Sequence, residues 1–362
     1  MIYVIFCHKE NLLNKMNNNR NDIFSMMKGV AIIAVVIGHC SIPCVERFVN
    51  QFHLATFYFV AGYFFKYSYV YTPWNYVIKR IKRLYIPFIC YGGAFLLLHN
   101  LFCRLGLYSI DSVYSIQKTI HQAVYMAVRF SSNELFMGAM WFLSSLFFVS
   151  LLFLLLAKIS SYSRKYQNII LCGLVLVTCL LGYAFLRLKF PNPYCIYYDM
   201  MRLLIFYMGY VFKQYRIFER YVNKWIAFMA LALLLIPYLL GGGVYLQSPH
   251  QSNIFLFFIV PVVGPIVIWY ICKLLNNSKL IRGGLALCGI YSFEIMALHF
   301  LSFKLVTLLQ IIVSGGQWSN LSDFPVYQEN LLWWSPLYTI VGVGLPILLT
   351  LAYNRLKMSF SK

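Results

Sequence analysis

Lys28 and His39 stand at the two ends of the apolar run KGVAIIAVVIGH. On an α-helix their separation places them about 20° apart around the axis and about 16 Å apart along it, so they share one face. A bilayer core is about 30 Å thick, so a Lys28 at the membrane surface puts His39 near mid-membrane, where an ionisable side chain is costly and usually functional. Burial in lipid disfavours the imidazolium and leaves a neutral imidazole able to accept a proton from a hydroxyl; a histidine hydrogen-bonded across helices is the alternative. A second apolar run, QFHLATFYFVAGYFFK, opens with His53, and the basic stretch KRIKR at 79–83 supplies Arg80 and Arg83. Further on stand Trp141, Glu294 and His299, together with Asp199 and Arg202, whose i, i+3 spacing predicts an ion pair at a helix end. Glu294 and His299 are five positions apart and so fall on different helix faces.

Such side chains need elements that carry them into lipid, and the composition supplies those elements. Hydrophobic residues make up 61% of the 362 positions and charged residues 11%, against about a quarter charged in soluble domains. The chain is therefore a polytopic membrane protein. Its net charge of +20 gathers at the ends of apolar runs, as topology determinants do, and not in a nucleic-acid patch, so no nucleic-acid partner is expected. The ten cysteines include Cys90, Cys172, Cys179, Cys272 and Cys288 inside apolar runs, with no CxxC pair, which argues against a disulfide scaffold. His39, Cys40 and Cys44 lack a second pair of ligands at zinc-site spacing, and no metal is expected.

The apolar runs predict an all-α bundle of ten spans, near 26–44, 52–70, 84–103, 137–157, 168–187, 200–214, 225–240, 253–272, 284–305 and 334–353. Most of the 30 lysines and arginines fall on one side if the N-terminus is cytoplasmic, so both termini are expected in the cytoplasm. Residues 1–22 are an Asn-rich, basic cytoplasmic segment without the layout of a cleaved leader, and Met16 is an alternative start. Residues 23–362 form one membrane domain, because the outer loops at about 104–135 and 306–333 are too short for a core of their own. Tryptophans at span ends, including Trp74, Trp141 and Trp225, fit interfacial belts that meet membrane lipid.

SMMKGVAIIAVVIGHC and QFHLATFYFVAGYFFK resemble the opening helices of the acyltransferase-3 family of integral membrane O-acyltransferases. The matching residues are Lys28, Gly29, Gly38, His39, Phe52, His53, Phe57, Phe59, Gly62 and Tyr63. KRIKRLYIPF matches with Arg80, Arg83 and Pro87, WFL with Trp141, FYMG at 206–209 with a late Gly-bearing helix, and GIYSFEIMALHF with a Ser-to-His helix ending at His299. The chain departs from the family pattern at Ser25, Ala55 and Ala61, and Lys28 offers a point charge in place of the family's frequent arginine fork.

The resemblance implies transfer of an acetyl or other short acyl group from acyl-CoA to a hydroxyl of a sugar or cell-envelope polysaccharide, in a bacterial inner membrane. It implies His39 as the catalytic residue, with His53 and Glu294 beside it. Lys28, Arg80 and Arg83 would hold the phosphates of acetyl-CoA, whose pantetheine arm is of the same order as the ~16 Å from Lys28 to His39. Trp141 and His299 would line the acceptor sugar. KRIKR as a lipid-binding topology signal is the alternative for the basic cluster, and Lys79 and Lys82 stay with it. A transporter or flippase of lipid-linked sugars is the competing function; it would spread charges through many helices, whereas here they gather in the first hairpin, the basic turn and the helix of Glu294.

Overall fold

The computed structural model describes residues 19–192, 194–249 and 253–360. The expectations for residues 1–18, Met16 among them, lie outside the described residues. Within those described, every regular element is helical. In chain order they begin with α1 (Asn19–Gly38), α2 (Pro43–Asn50), α3 (His53–Tyr63) and α4 (Pro73–Arg80), which runs through a π-turn at Ile81–Tyr85 into α5 (Ile86–Arg104). Then come α6 (Ile116–Arg129), a 3-10 segment at Leu135–Met140, α7 (Trp141–Ser160), α8 (Gln167–Arg187), α9 (Ile196–Gln214), α10 (Ile217–Arg220) and α11 (Lys224–Leu239). The chain closes with α12 (Ile254–Leu275), α13 (Lys279–Ile290), α14 (Ser292–Ser314), a 3-10 turn at Trp318–Ser322 and α15 (Leu331–Phe360).

Local chemistry accounts for several boundaries. Asn223 and Asn253 accept hydrogen bonds from the first amides of α11 and α12, satisfying donors that a helix start leaves open. Gly315, at φ +69°, lets the chain leave α14 through the left-handed region. Pro87 has no N–H to offer the Arg83 carbonyl one turn back, and the π-turn lies there.

Six helical runs are long and apolar enough to cross a membrane: Pro73–Arg104, Leu135–Ser160, Gln167–Arg187, Ile254–Leu275, Ser292–Ser314 and Leu331–Ser359. The remaining expected spans take other forms. The 52–70 run breaks after the 11 residues of α3, α11 has 16, and α1 and α9 carry charged residues inside their length. Two stretches expected as outer loops contain helix: α6 lies within 104–135, and α14 continues to Ser314.

The chain divides into two compact units interleaved in sequence. The first comprises residues up to Val49, Ile86–Trp141 and Gly283–Lys362. Here α1 and α13 meet backbone to backbone, because a Cβ on Gly29 would overlap the Leu285 carbonyl and one on Gly289 the Ser25 carbonyl. Paired small residues of this kind set helix contacts in lipid, where no hydrophobic effect drives helices together. The long connection from α5 to α7 is pinned by His99, whose Nδ1 meets Glu134 Oε2 at 2.9 Å and Nε2 the Ser112 carbonyl at 2.8 Å. Lys304, buried on α14, donates to the carbonyls of Leu321 and Asp323 at 2.9 and 2.5 Å and holds the 3-10 turn.

The second unit comprises Asn50–Tyr85 and Phe142–Arg282. The same device joins α3 to α9: a Cβ on Gly62 would overlap the Phe206 carbonyl, and one on Gly209 the Phe59 carbonyl. We expect Gly209→Ala to lower stability by about 1–3 kcal/mol through overpacking against rigid backbone. A thermal melt of the purified protein checks this, and an unchanged midpoint would contradict the close approach. Deeper in this unit Arg202, 1% exposed, pairs with Asp199 at 2.7 Å, as their spacing leads one to expect. It reaches further than that spacing shows. Nη1 also donates to Ser145 Oγ at 2.9 Å, Nε and Nη2 donate to the Leu246 carbonyl at 2.9 and 2.5 Å, and Ser145 in turn donates to Asp199 and accepts from Tyr58.

Candidate active site

His39 follows the last residue of α1, and its amide still bonds back to the carbonyls of Val35 and Val36 at 3.2 and 3.1 Å. The helical register from Lys28 is therefore kept to the histidine, and the two share a face about 16 Å apart along the axis. Cys40, the next residue, is fully buried and its thiol lies 3.7 Å from Thr339 Oγ1 on α15. That contact anchors the end of α1. The histidine itself is half-buried.

Beneath it lies His299, 0% exposed, with the two imidazoles stacked at 5.3 Å between centroids and 25° between planes. His299 Nδ1 faces the carbonyls of Ile295 and Met296, both at 3.0 Å. Carbonyls only accept, so Nδ1 carries the proton and Nε2 presents a lone pair. This Nε2 is buried and has no hydrogen-bond partner. Phe300 completes the wall, 4.8 Å from the His39 ring and 4.1 Å from the His299 ring. An accessible imidazole over a buried one, against an aromatic wall, suits taking a proton from a hydroxyl in a low-dielectric setting.

Glu294 occupies the first turn of α14 and is buried, where a carboxylate meets the positive end of the helix dipole. Trp141 opens α7 and is half-buried. His53, Arg80 and Arg83 belong to the second unit. His53 opens α3 and is 5% exposed. Arg80 lies over the Tyr76 ring and donates from Nη2 to its hydroxyl at 2.6 Å, while Arg83 is exposed on the π-turn. Lys79 is engaged with Tyr69, donating to its hydroxyl at 2.5 Å.

A family model described as an acyltransferase domain matches residues 21–351. The chain belongs to the acyltransferase-3 family. No curated protein and no solved structure matches it significantly. The acyltransferase thus carries its half-buried histidine at the end of the first helix of the matched region. Among the described residues, no group of three or more His, Cys, Asp or Glu is placed to hold a metal ion. Sequence spacing did not reveal the stacking of His39 on His299 or the orphaned Nε2, because both depend on how α1 and α14 pack.

Proposed function

We propose that this acyltransferase moves an acetyl or other short acyl group from acyl-CoA to a hydroxyl of a sugar or cell-envelope glycan intermediate, with His39 as general base. The observation that carries the reading is the half-buried His39 stacked on His299, at the far end of the helical face that begins with Lys28. As the acceptor oxygen attacks the thioester carbonyl, His39 takes the hydroxyl proton. The C–O bond forms, the C–S bond breaks, and the imidazolium returns its proton to the leaving thiolate, so CoA departs as the thiol and His39 is neutral again. In this scheme Glu294, Trp141 and His299 have acceptor-binding roles, and so, by the motif resemblance, does His53.

Ten spans with both termini in the cytoplasm, in a bacterial inner membrane, would bring Lys28, Arg80 and Arg83 to the side where CoA is available. Arg80 donates to the Tyr76 hydroxyl, and its planar fork suits a phosphate better than a phenol. Replacing Arg80 and Arg83 together by Ala is expected to raise the KM for acetyl-CoA about tenfold, which corresponds to losing about one charge-assisted hydrogen bond, with a smaller change in kcat. Thiol release from acetyl-CoA by the purified protein measures both constants. An unchanged KM would return the basic cluster to a topology or lipid-binding role.

A further inference from the structure

Gln51 sits in the turn ahead of α3, is 0% exposed, and neither its Nε2 nor its Oε1 has a hydrogen-bond partner. A buried amide with both ends unpaired is costly and is normally avoided, so such a group points to something that binds there. It lies in the second unit, next to Phe52 at the start of α3. The α3 start is capped by Phe52, which offers no side-chain acceptor to the first-turn amides. On α12, Pro265 has no N–H for the Pro261 carbonyl. That stretch of α12 abuts the turn, since a Cβ on Gly264 would collide with Phe52.

We propose that Gln51 is a substrate-binding residue, its amide gripping an uncharged polar group that both donates and accepts a hydrogen bond. The inference rests on the acyl-transfer reading above for which substrates are at hand. A phosphate or carboxylate only accepts and would leave Oε1 unpaired. Two parts of the proposed substrates have the required chemistry: a hydroxyl of the acceptor sugar, and a secondary amide in the pantetheine arm of the donor. His53, two residues on and also buried, places this grip beside a histidine assigned to the acceptor side.

The test uses Gln51→Met, which keeps the volume and removes both unpaired polar atoms, in the full-length protein in lipid nanodiscs. The thermal midpoint of the empty variant is expected to rise by about 2–4 °C, as removal of an unsatisfied buried group should. Acetyl-CoA and decyl glucoside, the latter below its micellar concentration, serve as probes of the two sources. One of them is expected to lose most of the midpoint shift it gives the wild type, and which one is lost identifies the group held. A lower midpoint in the empty variant would mean that Gln51 is already satisfied and would overturn the proposal. So would shifts equal to wild type with both probes, or a wild type that neither probe shifts. Because these readouts need no turnover, a lost shift with no acyl transfer would leave the binding site standing while removing the proposed reaction.

Discussion

His39→Ala is expected to lower acyl transfer by about 10²–10⁴-fold, the usual worth of a positioned general base. The effect should fall on kcat, because the imidazole acts on a proton in flight and not on the phosphates assigned to Lys28, Arg80 and Arg83. Stability should change little, since the ring is half-buried and Cys40 anchors the turn to α15. His39→Gln, which keeps a polar group of similar reach but cannot take up a proton at neutral pH, should be nearly as inactive. Steady-state kinetics with acetyl-CoA on both variants, at protein levels matched to wild type, check the expectation. A His39→Ala enzyme within a few-fold of wild type would remove the histidine from the chemistry.

Asp199→Ala is expected to be the most destabilising of the substitutions considered, by about 3–5 kcal/mol, because it strands a buried guanidinium. Arg202 is 1% exposed, and its Nη1 bonds to Asp199 and Ser145 while Nε and Nη2 hold the Leu246 carbonyl. The carboxylate is the only anion that the hydrogen-bonded set Tyr58, Ser145, Asp199 and Arg202 contains. Asp199→Ala combined with Arg202→Met should recover part of the loss by removing the stranded charge, although the bonds to Leu246 go with it. Thermal melts of the two variants measure this, and a single variant that melts like wild type would contradict the network.

How much of this was legible in the sequence depends on what each feature needs. The helical class follows from the apolar runs alone, and the Lys28-to-His39 face follows from a register that the structure keeps through the bonds of His39 to Val35 and Val36. The Asp199–Arg202 pair is local, so its spacing sufficed; its reach to Ser145 and Leu246 spans distant helices and left no periodic trace. Gly29 and Gly62 stood in the motif resemblance without a stated reason, and the reason is tertiary: each faces a carbonyl of another helix. The run at 52–70 reads as one span, yet its helix α3 ends at Tyr63, because hydropathy marks where a run is apolar and not where its helix ends; α11 keeps the expected bounds to within one residue. Gln51 carried no signal at all, since an amide beside an apolar run looks like any helix-start polar residue until its burial and missing partners are known.

The measurement that tests the central claim most directly is transfer of radiolabelled acetyl from acetyl-CoA into glycan-bearing material by membranes carrying the protein, compared with membranes carrying His39→Ala at the same level. The account predicts label in an ester released by mild base, present with wild type and absent with His39→Ala. Equal labelling in both, or no label in either while lipid-linked sugar crosses the membrane, would contradict it.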